Sequence, residues 1–149
     1  SAAPGNENIR VLSFQIKSPA EKNISISTGL IFEMTFFNKK ANINLDATFE
    51  LKNGDEIVVF HHGVLISTDK NSEEGFYTVK GVVPAFLLNA GTYSFKIIFG
   101  ENQRYLLFGI DDFIQFEVEN ETKGSNSFLS PGVISPDIAY NVNYKKTFK

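Results

Sequence analysis

The sequence predicts an all-β domain made of two packed antiparallel sheets. Its aromatic residues are 15 Phe and 5 Tyr with no Trp, and both Phe and Tyr favour strands. Apolar and polar residues alternate along seven or eight short runs at regular spacing, as they do in a β-sandwich. No run has the 3.6-residue periodicity of a long amphipathic helix.

The length and composition fit one folded domain. The 149-residue chain is 42% hydrophobic, which is enough apolar material for one core. A net charge of −3 and basic clusters no larger than Lys145-Lys146 argue against a nucleic-acid partner. The lack of cysteine excludes disulfides, thiol catalysis and Cys-containing metal sites, so we expect no metal and no cofactor. No apolar run reaches the roughly 18 residues of a membrane helix, so we expect no direct membrane insertion.

The chain divides into three parts. Residues 1–8 are small and polar without periodicity, which is typical of a linker. Residues 9–119 hold the strands of the sandwich, and residues 120–149 form a tail that begins with a polar stretch. The alternating apolar residues near the end of the tail are Ile138, Tyr140, Val142 and Tyr144. We expect this last strand either to close its own sheet or to be exchanged between two protomers.

The first two strands follow from alternation. The first is expected over residues 9–16, with Leu12, Phe14 and Ile16 facing the core. The second follows Thr28-Gly29 and ends at Asn38. Its core-facing residues are Leu30, Phe32, Met34 and Phe36.

A hairpin is predicted at Asn53-Gly54, which lies between two β-rich runs. Asn-Gly readily adopts the two positive φ values of a type I′ turn, so we expect a two-residue loop with Phe49 opposite Val58. The core face would then carry Ala47, Phe49, Leu51, Val58 and Phe60. The outer face would carry Asp46, Thr48 and Glu50 opposite His61, Val59 and Ile57.

Later strands are expected over residues 76–83, 93–99 and 113–119, with a turn at Ile110-Asp111-Asp112. The segment Leu88-Asn-Ala-Gly-Thr-Tyr is similar to the corner before a late strand of an immunoglobulin-like sandwich. In that corner, a Tyr hydroxyl hydrogen-bonds to the chain a few residues upstream. The predicted fold is therefore an immunoglobulin-like antiparallel β-sandwich.

Several segments together resemble one family, the C-terminal carbohydrate-binding domain of the nucleotide-binding subunit of O-antigen polysaccharide ABC exporters of the Wzt type. The segments are Ile9-Arg-Val-Leu-Ser-Phe, Thr28-Gly-Leu-Ile-Phe-Glu-Met-Thr-Phe, the Asn53-Gly54 hairpin, Val83-Pro84 with Leu88-Asn-Ala-Gly-Thr-Tyr, Ile110-Asp-Asp-Phe-Ile-Gln-Phe-Glu-Val and Gly132-Val-Ile-Ser-Pro. Before the Ile110 segment the family often has an Asp-Arg pair, and this sequence has Phe108-Gly109.

The resemblance implies a non-catalytic module of lipopolysaccharide biosynthesis. It implies binding of the non-reducing end of a lipid-linked O-antigen polysaccharide in the cytoplasm, at the inner face of the bacterial inner membrane, and coupling of that chain to export. It also implies a homodimer with an exchanged last strand, an attached ATP-binding domain and a transmembrane exporter subunit. The chain has no Gly-x-x-x-x-Gly-Lys-Ser/Thr phosphate loop, so we expect the ATPase to precede Ser1.

A candidate carbohydrate site follows from the outer faces of the hairpin strands and the last two strands. Sugars are held by flat aromatic faces and by planar polar side chains that hydrogen-bond to hydroxyls. If these four strands form one sheet, their outward residues lie together. The predicted site residues are Thr48, Glu50, His61, Lys96, Phe113 and Gln115.

Other polar residues are open to different interpretations. His61 and His62 are strand neighbours that face opposite ways, which argues against a shared metal. Asp111-Asp112 fits a turn better than the opposed carboxylates of a glycosidase. Arg104 and Tyr105 are a further pair that could contact a ligand. The alternative function is a structural dimerisation or assembly module without a ligand of its own.

Overall fold

The fold is a sandwich of two antiparallel sheets. The computed structural model describes residues 3–121 together with Ile134 and Ala139. Seven strands occur in this part of the chain: β1 (Ile9–Lys17), β2 (Leu30–Asn38), β3 (Leu45–Asn53), β4 (Val58–Leu65), β5 (Gly75–Val83), β6 (Gly91–Glu101) and β7 (Tyr105–Val118). The sheets have the orders β1-β2-β5 and β4-β3-β6-β7. The predicted all-β sandwich is confirmed. In the residues described, no helix is long and apolar enough to cross a membrane.

Phenylalanine rings fill the space between the sheets. The Phe32 ring centroid lies 4.8 Å from that of Phe49 and 5.2 Å from that of Phe95, which joins β2 to β3 and β6. A Cβ at Gly81 would clash with the Phe32 ring, so this ring reaches its place only because β5 has a glycine there. The predicted core face of β2 is confirmed, since Leu30, Phe32, Met34 and Phe36 are all buried.

The predicted tyrosine corner is present before β6. The Tyr93 hydroxyl donates a 2.7 Å hydrogen bond to the carbonyl oxygen of Asn89, and the residue is 3% exposed. Burial raises the pKa of the Tyr93 hydroxyl above its usual value, while the hydrogen bond to Asn89 opposes this change. The corner holds the chain where it enters the four-stranded sheet.

The expected core position of Leu12 is wrong. A β-bulge shifts the β1–β2 register between Val11 and Ser13. Ile9 and Val11 are therefore buried ahead of the bulge, whereas Leu12 is 47% exposed. Phe14 and Ile16 pack against the core beyond it, as predicted. The extra residue reverses the alternation within one strand.

The β3–β4 hairpin has a three-residue loop, so the predicted two-residue type I′ turn is wrong. The Glu56 amide donates to the Asn53 carbonyl, the Asn53 amide donates to the Ile57 carbonyl, and the left-handed residue is Glu56 with φ 63°. The Asn53 side-chain oxygen also accepts from the amides of Asp55 and Ile57. The loop is therefore a turn followed by the left-handed residue Glu56, which is the usual arrangement of a three-residue hairpin loop.

The longer loop moves the register of β4. Glu50 lies opposite His61 and Phe49 opposite His62. Val58, predicted in the core, is 49% exposed because a second irregularity between Leu51 and Lys52 turns it outward. Phe60 still packs against the core.

The predicted turn at residues 110–112 is a bulge inside β7. Ile97 pairs with Ile110 and Phe95 pairs with Ile114, so three residues of β7 stand opposite Lys96 alone. Asp112 takes a left-handed backbone conformation, with φ 46°. β7 therefore runs through the expected turn.

The chain leaves β7 tied to the β1–β2 connection. Ser25 forms a parallel bridge with Glu119, and Glu121 accepts hydrogen bonds from the Ser25 hydroxyl at 2.7 Å and from the Ser27 hydroxyl. Lys22 adds an ion pair of 3.2 Å to Glu121. The tail strand predicted from residues 138, 140, 142 and 144 lies outside the described residues. Ile134 forms an antiparallel bridge with Leu88.

Candidate functional site

The outer face of the four-stranded sheet brings together five of the six predicted site residues. Thr48 and Glu50 lie on β3, between core residues that point the other way. His61 lies opposite Glu50 on β4, and Lys96 lies opposite it on β6. Gln115 follows on β7, opposite Ser94. The four strands do form one sheet, which was the condition of the prediction.

Phe113 does not lie on this face. Its ring packs edge-on against Phe14 of β1, with ring centroids 5.7 Å apart, and it is partly buried against the core. The bulge opposite Lys96 is the reason, because it changes which side of β7 residue 113 occupies. The placement of Phe113 among the outer residues is wrong.

A row of charged residues crosses the outer face. His61 Nδ1 lies 3.1 Å from Glu50 Oε1, and Lys96 Nζ lies 3.3 Å from Asp111 Oδ1. The next row holds Lys52, whose Nζ lies 3.0 Å from Glu56 and 3.6 Å from Asp112. The hydrogen bond to Glu56 is the main cause of a raised Lys52 pKa. These groups largely satisfy one another, so they form the rim of a site better than its centre.

A concavity lies beside this row, toward the end of the sheet where β3 begins. We call it the trough. Its volume is about 430 Å³. Its floor is formed by two rows of paired residues. One row is Gly63, Thr48 and Ile98, from β4 to β6, and the other is Leu65, Asp46, Gly100 and Leu106, from β4 to β7.

Glycines make the trough concave. A Cβ at Gly63 would lie 3.3 Å from Thr48 Oγ1, so a side chain there would rise over the threonine. A Cβ at Gly100 would lie 2.6 Å from Asp46 Oδ1, which shows that the Asp46 carboxylate occupies the space above Gly100. The missing side chains thus leave room for a ligand and for the carboxylate beside it.

Asp46 is the main acceptor in the trough. Partial burial raises the pKa of its carboxyl above the usual value, and a hydrogen bond from the Gln103 amide to Oδ2, 3.3 Å long, opposes this change. A carboxylate has about four acceptor positions, so Asp46 can take further donors such as sugar hydroxyls.

The β6–β7 turn forms the end of the trough. Asn102 and Gln103 have φ 56° and 55°, and the Arg104 amide donates to the Glu101 carbonyl at 3.0 Å, as in a type I′ hairpin. The Asn102 amide donates to the Asn44 carbonyl, and the Asn102 side chain accepts from the Asn44 amide. These bonds fix the turn against the chain that leads into β3.

An exposed aromatic ring and a cation follow this turn. The Arg104 guanidinium carbon lies 5.6 Å from the centroid of the Tyr105 ring, and Tyr105 is 56% exposed. Both residues line the trough. A tyrosine ring and a guanidinium are the flat groups that carbohydrate sites use, and this supports the ligand role considered for the pair.

Sequence reasoning missed the centre of this site. Alternation placed Asp46 and Thr48 on the outer face, but it did not show that Gly63, Gly100 and Gly109 stand beside them. Their proximity depends on the register of three strand pairs, two of which contain irregularities. All three glycines lie outside the predicted strands, so the alternation pattern carried no signal for the trough.

A second cavity of about 440 Å³ opens between the sheets, where β4 and β5 are edge strands. Phe60, Val79 and Leu87 line it, together with His62, which faces the opposite way from His61. Within the described ranges, no three His, Asp or Glu side chains are grouped so that they could hold a metal ion.

The fold has a counterpart among solved structures. No family profile and no curated protein sequence matches the chain. The crystal structure of the C-terminal domain of Wzt aligns with TM-score 0.71 and 17% identity, over 93% of this chain and 86% of that one. An ApaA protein from Bordetella pertussis aligns with TM-score 0.39 and 13% identity, over 83% of this chain and 100% of that one. The chain thus has the fold of the C-terminal domain of Wzt, the family that its sequence motifs resemble.

Proposed function

We propose that this domain is a non-catalytic carbohydrate-binding module that recognises the non-reducing end of a lipid-linked O-antigen polysaccharide. The observation that carries the proposal is the glycine-floored trough, which is lined by a half-buried carboxylate and by an exposed tyrosine. The shared fold with the C-terminal domain of Wzt and the resemblance of the sequence motifs support the same reading.

The chemistry of the trough suits a sugar. Asp46 and Thr48 accept hydrogen bonds from hydroxyls, and Arg104 and Gln103 can donate to ring and hydroxyl oxygens. Tyr105 offers an apolar ring to the C–H surface of a pyranose. Glu50, His61, Lys96 and Gln115 form the adjoining rim, where a longer glycan passes over the charged row.

A shallow site of this kind gives modest affinity. Few groups are buried on binding, so we expect a Kd between about 10 μM and 1 mM. In a homodimer built by exchange of the tail strand, two sites could engage one partner and raise the apparent affinity by avidity. The domain would work on the cytoplasmic side of the inner membrane, attached to an ATP-binding domain and, through it, to the exporter.

Glycan binding tests the proposal directly. The domain is applied to an array of bacterial O-polysaccharides attached through their reducing ends, and to the same glycans attached through their non-reducing ends. We expect binding only where the non-reducing end is free. The Gly63→Val variant should weaken this binding about tenfold or more, because its side chain fills the floor of the trough.

The matched control is Gly54→Ala in the β3–β4 loop, where a Cβ would meet only the Thr92 carbonyl oxygen at 3.8 Å. Thermal unfolding of both variants confirms that they fold. Unchanged glycan binding by Gly63→Val would contradict the proposal. Equal binding to glycans attached through either end would also contradict it. No binding to any glycan would leave the assembly module as the better explanation.

A further inference from the structure

We infer that the sugar held in the trough is a 6-deoxyhexose, whose methyl group lies against Leu106 and Ile98. The inference rests on the proposed function and specifies the class of sugar. It follows from the positions of the Asp46 carboxylate and of two apolar side chains beside it in the trough.

Two leucines on opposite edge strands face the trough. Leu106 is 71% exposed and Leu65 is 49% exposed. They belong to the same row of the sheet, with Asp46 and Gly100 between them. Single exposed leucines are common on protein surfaces. These two leucines instead lie on both sides of one concavity with a glycine floor. Such a pair forms part of the wall of a binding site, and it favours a ligand with an apolar part.

One apolar part of the trough lies on the β6–β7 side, across from Leu65 of β4. Leu106 Cδ1 lies 3.7 Å from the position that a Cβ at Gly109 would take, so the leucine leans over that glycine. Gly109 is the partner of Ile98, whose side chain forms the floor beside it. Leu106 and Ile98 thus form one continuous apolar corner.

The carboxylate and the hydroxyl of the trough floor lie on β3. The Asp46 carboxylate extends over Gly100, and Thr48 stands in the neighbouring row. Gly100 is paired with Leu106, and adjacent strands lie about 4.8 Å apart. The carboxylate and the apolar corner are therefore separated by about the width of one pyranose ring.

This separation discriminates between sugars. A ring whose hydroxyls donate to Asp46 directs its opposite side toward Leu106 and Ile98. A hydroxymethyl group placed there would lose hydrogen bonds to water without gaining a partner from the corner. A methyl group would bury apolar surface at the same position.

Matched glycosides test the inference. The isotope-labelled domain is titrated with methyl α-L-rhamnopyranoside and methyl α-L-mannopyranoside, which differ only at carbon 6, and the amide signals of the trough are followed by NMR. Methyl α-L-fucopyranoside and methyl α-L-galactopyranoside form a second pair. In at least one pair, we expect the 6-deoxy sugar to bind about fourfold more tightly, the gain from burying one methyl group.

The Leu106→Ser variant should bring this ratio close to one while hexose binding remains. Leu12→Ser, at a 47% exposed leucine of the other sheet, is the matched control and should keep the preference. Equal affinity within both pairs, or a preference that survives in Leu106→Ser, overturns the inference. Tighter, Leu106-dependent binding of methyl N-acetyl-β-D-glucosaminide also overturns it, because the apolar corner would then hold an acetamido methyl.

The array separates this inference from the function on which it rests. Gly63-dependent binding on the array without a 6-deoxy preference removes only the inference. No binding in either experiment removes the proposed function as well.

Discussion

The carboxyl of Asp46, the acceptor of the proposed site, has a cost in stability. Burial raises its pKa, so the folded state holds the proton more tightly than the unfolded state does. Its contribution is therefore most favourable below the ordinary pKa of 3.8 and is lost as the pH rises through the raised value. At neutral pH the ionised carboxylate opposes folding slightly.

We expect Asp46→Asn to stabilise the domain slightly at pH 7 and to have no such effect at pH 3. The gain should be about 0.5 kcal/mol or less, because solvent screens a half-buried group. Denaturant unfolding at the two pH values measures the effect, and glycan affinity at pH 7 should fall in the same variant. A variant that is less stable at pH 7 would show that the hydrogen bond from Gln103 outweighs the burial of charge.

Glu121 has the opposite behaviour. Hydrogen bonds from Ser27, Ser25 and Lys22 lower its pKa from 4.5 to about 2. A lowered folded-state pKa stabilises the fold fully above pH 4.5, and this contribution is lost as the pH falls toward about 2.

The Glu121→Gln variant should therefore be less stable than the wild type at pH 6, and the difference should shrink steadily on acidification. Urea unfolding along a pH series gives the measurement, and Glu117→Gln on exposed β7 is the control. A difference that does not change with pH would contradict the electrostatic explanation.

At the scale of the elements, alternation predicted the strands that hold no extra residue themselves. The inward and outward faces of β2 and β6 and most of β3 follow from single-strand patterns, and with them the placement of Thr48, Glu50 and Lys96. Bulges could not be predicted, because an extra residue in one strand is defined only against its partner. Leu12 and Phe113 were misplaced for this reason, and the glycine floor depends on the same pairings.

The β3–β4 hairpin shows why a local motif left the loop undetermined. Asn53-Gly54 is compatible with two loop lengths, and in the structure the left-handed position falls on Glu56. A non-glycine residue in that conformation costs about 1 kcal/mol. A glycine would avoid this strain, but it would lose more backbone entropy on folding, which cancels part of the gain.

We expect Glu56→Gly to raise the free energy of unfolding by about 0.5 kcal/mol relative to Glu56→Gln. The comparison with Gln removes the effect of the exposed ion pair to Lys52 from both variants. Chemical denaturation provides the values. A glycine variant less stable than the glutamine variant would mean that removing the left-handed backbone strain at residue 56 does not stabilise the loop.

At the scale of the molecule, the fold depends on connections that cross between the two sheets. The chain passes from β5 in one sheet to β6 in the other, and the hydrogen bond from Tyr93 to Asn89 lies in that crossing. The sequence predicted this corner because the whole feature lies within six residues, from Leu88 to Tyr93. The order of the strands was not predicted; that the hairpin strands and the last two strands share one sheet was a condition of the predicted site, and β4, β3, β6 and β7 do form one sheet.

Removal of the Tyr93 hydroxyl tests the corner. We expect Tyr93→Phe to lower the free energy of unfolding by about 1–2 kcal/mol, since a buried hydrogen bond is lost while the ring remains. Tyr105→Phe removes a hydroxyl from an exposed ring and should leave stability unchanged. Equal stability of the two variants would show that the corner is not a source of stability.

The turn between β6 and β7 has a kinetic consequence. Asn102 and Gln103 both hold left-handed backbone conformations, and two hydrogen bonds to Asn44 secure them. Under the proposed function, contact groups that are set before the saccharide arrives need little rearrangement, so capture and release should both be rapid. Such a domain would test many chain termini in succession and keep none of them for long.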